Sequence, residues 1–142
     1  YDHNLDQDIL AFGAPIVEVD RDDKVERLSR VYFTTGAGDP LGTNSARILE
    51  GEPQGIGSSM TTINVGEYDI LVTAGPGLLR MIKLNDAKAE VVKEFELPRG
   101  ATPVLASTHD LDADGEIKLW VGLPELSSVR LITVRPAMTD PK

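Results

Sequence analysis

The sequence contains no cysteine. That excludes a disulfide framework and a thiolate zinc site, and it leaves the redox compartment unspecified. Histidine is scarce too: only His3 and His109 are present, with no Gly-x-Ser-x-Gly elbow near either. A nucleophile–histidine–acid triad is therefore not expected. No apolar run approaches the ~18 residues of a membrane-spanning helix, and no basic-then-apolar leader opens the chain. Positive charge is in short supply, with 14 Lys and Arg against 23 Asp and Glu, a formal charge of −9. Such a field repels phosphate backbones and anionic headgroups, so nucleic acid is not an expected partner. The glycines at Gly36, Gly38, Gly42, Gly55 and Gly57 are not followed by Lys-Ser/Thr and open no helix. They read as turn residues and not as a phosphate loop.

What the chain does have is punctuation. Its 142 residues suit one domain, and 13 Gly with 9 Pro divide it into short segments. Apolar runs bounded by Gly, Pro, Asp or Asn recur without a sustained helical period, which predicts an all-β fold. The expected strands are Ile9–Phe12, Ile16–Val19, Leu28–Thr34, Ala46–Leu49, Met60–Ile63, Ile70–Ala74, Leu79–Leu84, Glu90–Glu96, Val104–Ser107, Lys118–Val121 and Val129–Val134. The segment Asp86–Phe95 is the best helix candidate. Its β-branched Val91 and Val92, and the shared parity of Ala89, Val91 and Phe95, assign it to a strand. Asp22–Arg30 is left open between a helical turn and a hairpin flank.

Self-comparison finds a repeat. Ile70-Leu71-Val72-Thr73-Ala74-Gly75 aligns with Ile9-Leu10-Ala11-Phe12-Gly13-Ala14 and with Leu119-Trp120-Val121-Gly122. Arg80-Met81-Ile82-Lys83-Leu84 aligns with Arg130-Leu131-Ile132-Thr133-Val134, and Arg47-Ile48-Leu49 begins the same way. Val31-Tyr32-Phe33-Thr34-Thr35-Gly36 offers a further copy of the strand-plus-Gly signature. Approximate units span 1–60, 61–106 and 107–142. Units of this size, made of short antiparallel strands, have the dimensions of propeller blades. Two to three of them make an incomplete ring or a fragment of one, and a compact β-sandwich is the alternative. Beginning at Tyr1, close to strand-forming residues, the chain is expected to be a mature product or a fragment.

The most informative stretch runs from Asp110 to Gly122, where Asp110, Asp112 and Asp114 alternate, Gly115 closes the turn and Leu119-Trp120-Val121 follow as a strand. Alternating carboxylates closed by glycine present oxygen ligands to a hard cation, and the same residues are also good hairpin-turn formers. This stretch resembles the FG-GAP or VCBS repeat of integrin-alpha-like β-propellers, whose motif runs Asp-Φ-Asn/Asp-Gly-Asp-Gly-x-x-Asp-Leu-Φ-Φ-Gly, where Φ is apolar. Asp8-Ile9-Leu10-Ala11-Phe12-Gly13-Ala14-Pro15 resembles the end of that motif, and Asn64 to Val72 looks like a copy with a shortened acidic loop. The resemblance implies calcium ligation by Asp110, Asp112 and Asp114. It departs from the motif at Lys118, which stands where the family has its last acid and would repel the ion unless its head turned to solvent. It also implies an extracellular or periplasmic location.

Several other residues have plainer readings. Asp20-Arg21-Asp22-Asp23 reads as a solvated charged turn. Asn64 and Asp69 are expected to brace a turn through side-chain to backbone hydrogen bonds. His109 reads as a solvent-facing residue at a strand end. Trp120 is expected to pack its ring between sheets, and Tyr32 and Phe33 to point to opposite faces. The function these readings favour is a non-catalytic binding module, a calcium-stabilised propeller portion recognising protein or carbohydrate. The alternatives are the propeller part of a larger secreted carbohydrate-active enzyme of lyase or dehydratase type, and an assembly subunit that forms a homo-oligomer or joins the remainder of a larger propeller.

Overall fold

The structure is a computed structural model that describes residues 9–35, 48–66, 68–85 and 88–136. His3, Asp8, Gly36, Gly38, Gly42, Ala46, Arg47, Glu67 and Asp86 lie outside the described residues. Ten strands follow in order: β1 (Ile9–Arg21), β2 (Lys24–Thr35), β3 (Ile48–Gly51), β4 (Ser59–Asn64), β5 (Asp69–Gly75), β6 (Leu78–Asn85), β7 (Lys88–Glu96), β8 (Val104–Ser107), β9 (Ile117–Leu123) and β10 (Ser128–Val134). Among the described residues the fold is all-β, with one 3-10 turn at Pro124–Leu126. The segment with the best helical pattern is strand β7.

The strands form three antiparallel meanders, β1-β2-β3, β4-β5-β6-β7 and β8-β9-β10. Val104–Ser107 belongs to the third sheet, so the sheets meet slightly ahead of the approximate unit limit at 107. The first hairpin turns at Asp22 and Asp23, both left-handed with φ of 51° and 64°, between the paired residues Arg21 and Lys24. Two consecutive positive φ values are what a two-residue type I′ turn needs, and Asp tolerates them better than most residues. Asp22–Arg30, undecided from sequence, is this turn and the first half of β2. The expected strands Ile9–Phe12 and Ile16–Val19 are one strand, whose register shifts between Ala14 and Val17 around Pro15. A proline lacks the N–H that a ladder needs, and the bulge absorbs it.

The sheets stack face to face. Strand β5 is covered on both sides, with Ile70, Val72, Thr73 and Ala74 buried and Leu71 half-buried. Ile70, Val72 and Ala74 meet Ile117, Leu119, Val121 and Leu123 of β9, while Leu71 packs toward Val31, Phe33 and Ile56 on the side of the first sheet. Each fully buried Ile, Leu or Val in these layers contributes roughly 1.5–3 kcal/mol. Strand β9 alternates instead, burying Ile117, Leu119, Val121 and Leu123 and turning Lys118, Trp120 and Gly122 away. Phe33 is buried and Tyr32 half-buried on opposite faces of β2.

The segment between β3 and β4 is the joint between the first two sheets. Two buried hydroxyls hold it: Ser29 Oγ donates to Glu52 O (2.6 Å) and accepts from Ile56 N (3.2 Å), and Thr73 Oγ1 accepts from Gly57 N (2.9 Å). Gln54 N also donates to Pro15 O at 2.7 Å.

At the rim of the first sheet Glu50 accepts hydrogen bonds from Arg21 Nη2 (2.6 Å) and Arg30 Nε (2.9 Å). The hydrogen bond from Arg21 does most to hold the Glu50 carboxyl below its ordinary value; burial opposes it, and Arg30 adds to the lowering. A carboxyl whose folded pKa is depressed stabilises the fold above the unfolded pKa, and that contribution disappears as pH falls through the folded value. Thermal melts of the wild type and of Glu50→Gln should therefore differ at neutral pH and converge below the ordinary carboxylate range. Curves that stay parallel down to low pH would remove Glu50 from the acid response.

Candidate functional site

The third sheet carries the residues singled out by sequence. Its first strand β8 runs beside β4: Leu105 N donates to Ser59 Oγ (3.2 Å), and Asn64 forms a parallel bridge with Asp110. His109, with φ of 66°, fastens the end of this contact. Its carbonyl accepts from Asn64 N (2.7 Å) and its Nδ1 lies 2.7 Å from Thr62 O. A carbonyl can only accept, so Nδ1 carries the proton there. The imidazole is exposed, as expected for a strand end, and it also clasps the second sheet to the third.

The acidic loop connects β8 to β9. Asp112 organises it: one carboxylate oxygen accepts from Asp114 N (2.9 Å) and Glu116 N (3.0 Å), its own N–H donates to Glu116 O (2.8 Å), and Gly115 N returns to its carbonyl (3.0 Å). Gly115 takes φ of 74° in open space. Beyond the loop, Glu116 pairs with Arg135 Nε (2.9 Å) and lies 3.6 Å from Lys118 Nζ. The Lys118 ammonium is thus engaged by a carboxylate on its own strand end. Asp110, Asp112 and Asp114 are all exposed on this one loop. Among the described residues no three His, Asp or Glu side chains gather closely enough to hold a metal ion. The task that these contacts give Asp112 is to tie its own turn.

The loop between β4 and β5 holds the same place in the second sheet. Asn64 Oδ1 accepts from Gly66 N (3.0 Å), the side-chain to backbone bracing expected of Asn64, and Asn64 Nδ2 donates to Asp69 Oδ1 (2.8 Å), a side-chain to side-chain bond that the expectation did not include. Burial pushes the Asp69 carboxyl up, but the lowering influences, including the hydrogen bond from Asn64 and the charge of nearby His109, prevail, and it lies below its ordinary value.

Trp120 differs from expectation. It sits 38% exposed on the outer face of the third sheet and does not pack between sheets. Odd-numbered positions of β9 face the second sheet, so Trp120 faces away. Cross-strand pairing sets Trp120 opposite Leu131 and Ala106, and Gly122 opposite Val129 and Val104. Val104, Leu131 and Val129 are 57%, 55% and 69% exposed. This apolar surface was missed because each of its residues looks like ordinary core in its own strand; only the cross-strand register collects them. No family of known proteins, no curated protein and no solved structure matches this chain.

Proposed function

We propose that this chain is a non-catalytic binding module, a portion of a β-propeller that recognises a protein or carbohydrate ligand. The observation that carries the reading is the succession of stacked meanders, with the first strands of the second and third sheets side by side and in parallel at their ends. Neighbouring propeller blades meet in this manner, and a stack that ends on an exposed apolar face has a surface to offer. His109 is committed to Thr62 and Asn64, which suits a structural clasp better than a catalytic base. Calcium enters through the resemblance alone, with Asp110, Asp112 and Asp114 as the ligands it implies. An extracellular or periplasmic setting rests on the same resemblance.

Melting the chain in excess calcium and in chelator tests the metal, and incubating it with soluble polysaccharides while following product release tests catalysis. A ligand at ~100 times its Kd stabilises by about 2.7 kcal/mol, enough to move the midpoint by several degrees. A shift of that kind, lost in Asp114→Ala, would support the calcium-stabilised module; identical midpoints would remove calcium from it. Turnover of a polysaccharide by the chain itself, abolished in His109→Ala, would overturn the non-catalytic reading. Exposed sheet edges also favour an assembly subunit as a second reading, and strictly monomeric sedimentation would dismiss it.

A further inference from the structure

We propose that the edge of β10 that no described strand covers takes up an extended segment of a partner protein by strand addition, with a carboxylate of that segment seated on Arg130. The proposal rests on the binding-module reading for the existence of a partner, and the second sheet supplies its template. Strands β6 and β10 are each third in their meanders, and Arg80–Leu84 aligns with Arg130–Val134. On its far side β6 carries β7, with Leu79 opposite Phe95 and Arg80 opposite Glu94. Arg80 Nε and Glu94 Oε1 are 3.1 Å apart. The corresponding side of β10 pairs with no strand among the described residues. Arg130 is exposed and has no ion pair or side-chain hydrogen bond with any described residue.

The edges of the sheets differ in how they are protected. Exposed edges are blunted by charge, proline, a bulge or short length. Strand β7 carries Lys93, Glu94 and Glu96, β1 has Pro15 and its bulge, and β3 has only four residues. Strand β10, Ser-Val-Arg-Leu-Ile-Thr-Val, has none of these protections beyond Arg130. It is rich in β-branched residues suited to pairing. Main-chain pairing would supply affinity and the cross-strand side chains selectivity, as in other strand-addition complexes. A carboxylate opposite Arg130 and an aromatic or aliphatic residue opposite Val129 would repeat what Glu94 and Phe95 do for Arg80 and Leu79. Two copies of β10 paired together would offer Arg130 no carboxylate, which favours an acidic segment from a different protein.

The probe is a blocked synthetic peptide with the sequence of residues 88–96, Lys-Ala-Glu-Val-Val-Lys-Glu-Phe-Glu. It would be titrated calorimetrically against the whole chain, with amide hydrogen exchange read along the sequence. The expected result is saturable binding with exchange slowed at 128–134. Arg130→Glu should weaken binding about tenfold, and a peptide carrying Lys at the Glu94 position should restore it. Arg130→Ala, with an unchanged melting curve, guards against a folding defect. The proposal is overturned by no saturable binding, by indifference to Arg130, or by faster exchange at 78–85, which would mean that the peptide had displaced β7. Sedimentation of a dimer dispersed by Arg130→Glu would assign the edge to a second copy and likewise overturn it. Polysaccharide turnover would sink the binding-module reading while leaving the peptide result standing, so the two failures are distinguishable.

Discussion

Gly75→Ala should be among the most damaging single substitutions in this chain, costing about 3 kcal/mol or more although it adds one methyl group. Gly75 ends β5, and a Cβ there would overlap the carbonyl oxygens of Gln54 and Gly55. Both are backbone atoms of the joint between the first two sheets. That joint is held by Thr73, the buried neighbour of Ala74, and by Ser29 across it, so it has little freedom to retreat. Overpacking a close-packed interior typically costs 1–3 kcal/mol, and obstruction by anchored backbone belongs at or above the top of that range. The control is Gly115→Ala. Gly115 has φ of 74° but nothing within reach of a Cβ, so its penalty is the left-handed conformation alone, about 1 kcal/mol. Urea unfolding with a common slope would rank the two. A Gly75→Ala midpoint equal to that of Gly115→Ala would mean that the joint yields, and the contact would lose its importance.

Most of the strands could be read directly because β structure here is written in short apolar runs closed by glycine, proline or aspartate. The run from Ile70 to Ala74 was legible as a strand, which is β5. The charged turn at Asp22 and Asp23, the bracing by Asn64, and the opposite faces of Tyr32 and Phe33 followed from local chemistry in the same way. The joint was not legible. Nothing near Gly75 in sequence announces that Gln54 will press against it, and Ser29 and Thr73 look like unremarkable strand residues until their hydroxyls meet Glu52, Ile56 and Gly57. In the acidic loop, spacing predicted a turn and a possible ion alike. The structure shows Asp112 bonded to its own backbone, a contact that alternating aspartates make with or without a cation.

The repeat itself shows where sequence matching reaches its limit, and one pair of substitutions exposes it. Matching apolar letters aligns Ile70 with Leu119. Those residues lie on opposed faces: Ile70 looks from the second sheet to the third, and Leu119 looks back at it. The first residues of the two strands, Asp69 and Ile117, give the other register, in which Val72 corresponds to Trp120 and both face away from the preceding sheet. A slip of one residue exchanges every inward side chain for an outward one. Leu119→Ala should therefore open a cavity between the second and third sheets and cost ~2–5 kcal/mol. Trp120→Ala, on the next residue and with a larger side chain removed, should cost less than that, because its ring lacks a covering layer among the described residues. It should instead reduce self-association or ligand binding at the outer face. Chemical unfolding combined with sedimentation reads both effects at once. A Trp120→Ala loss as large as that of Leu119→Ala, in a protein that remains monomeric throughout, would place the indole in a core and abolish the open face on which the binding reading depends.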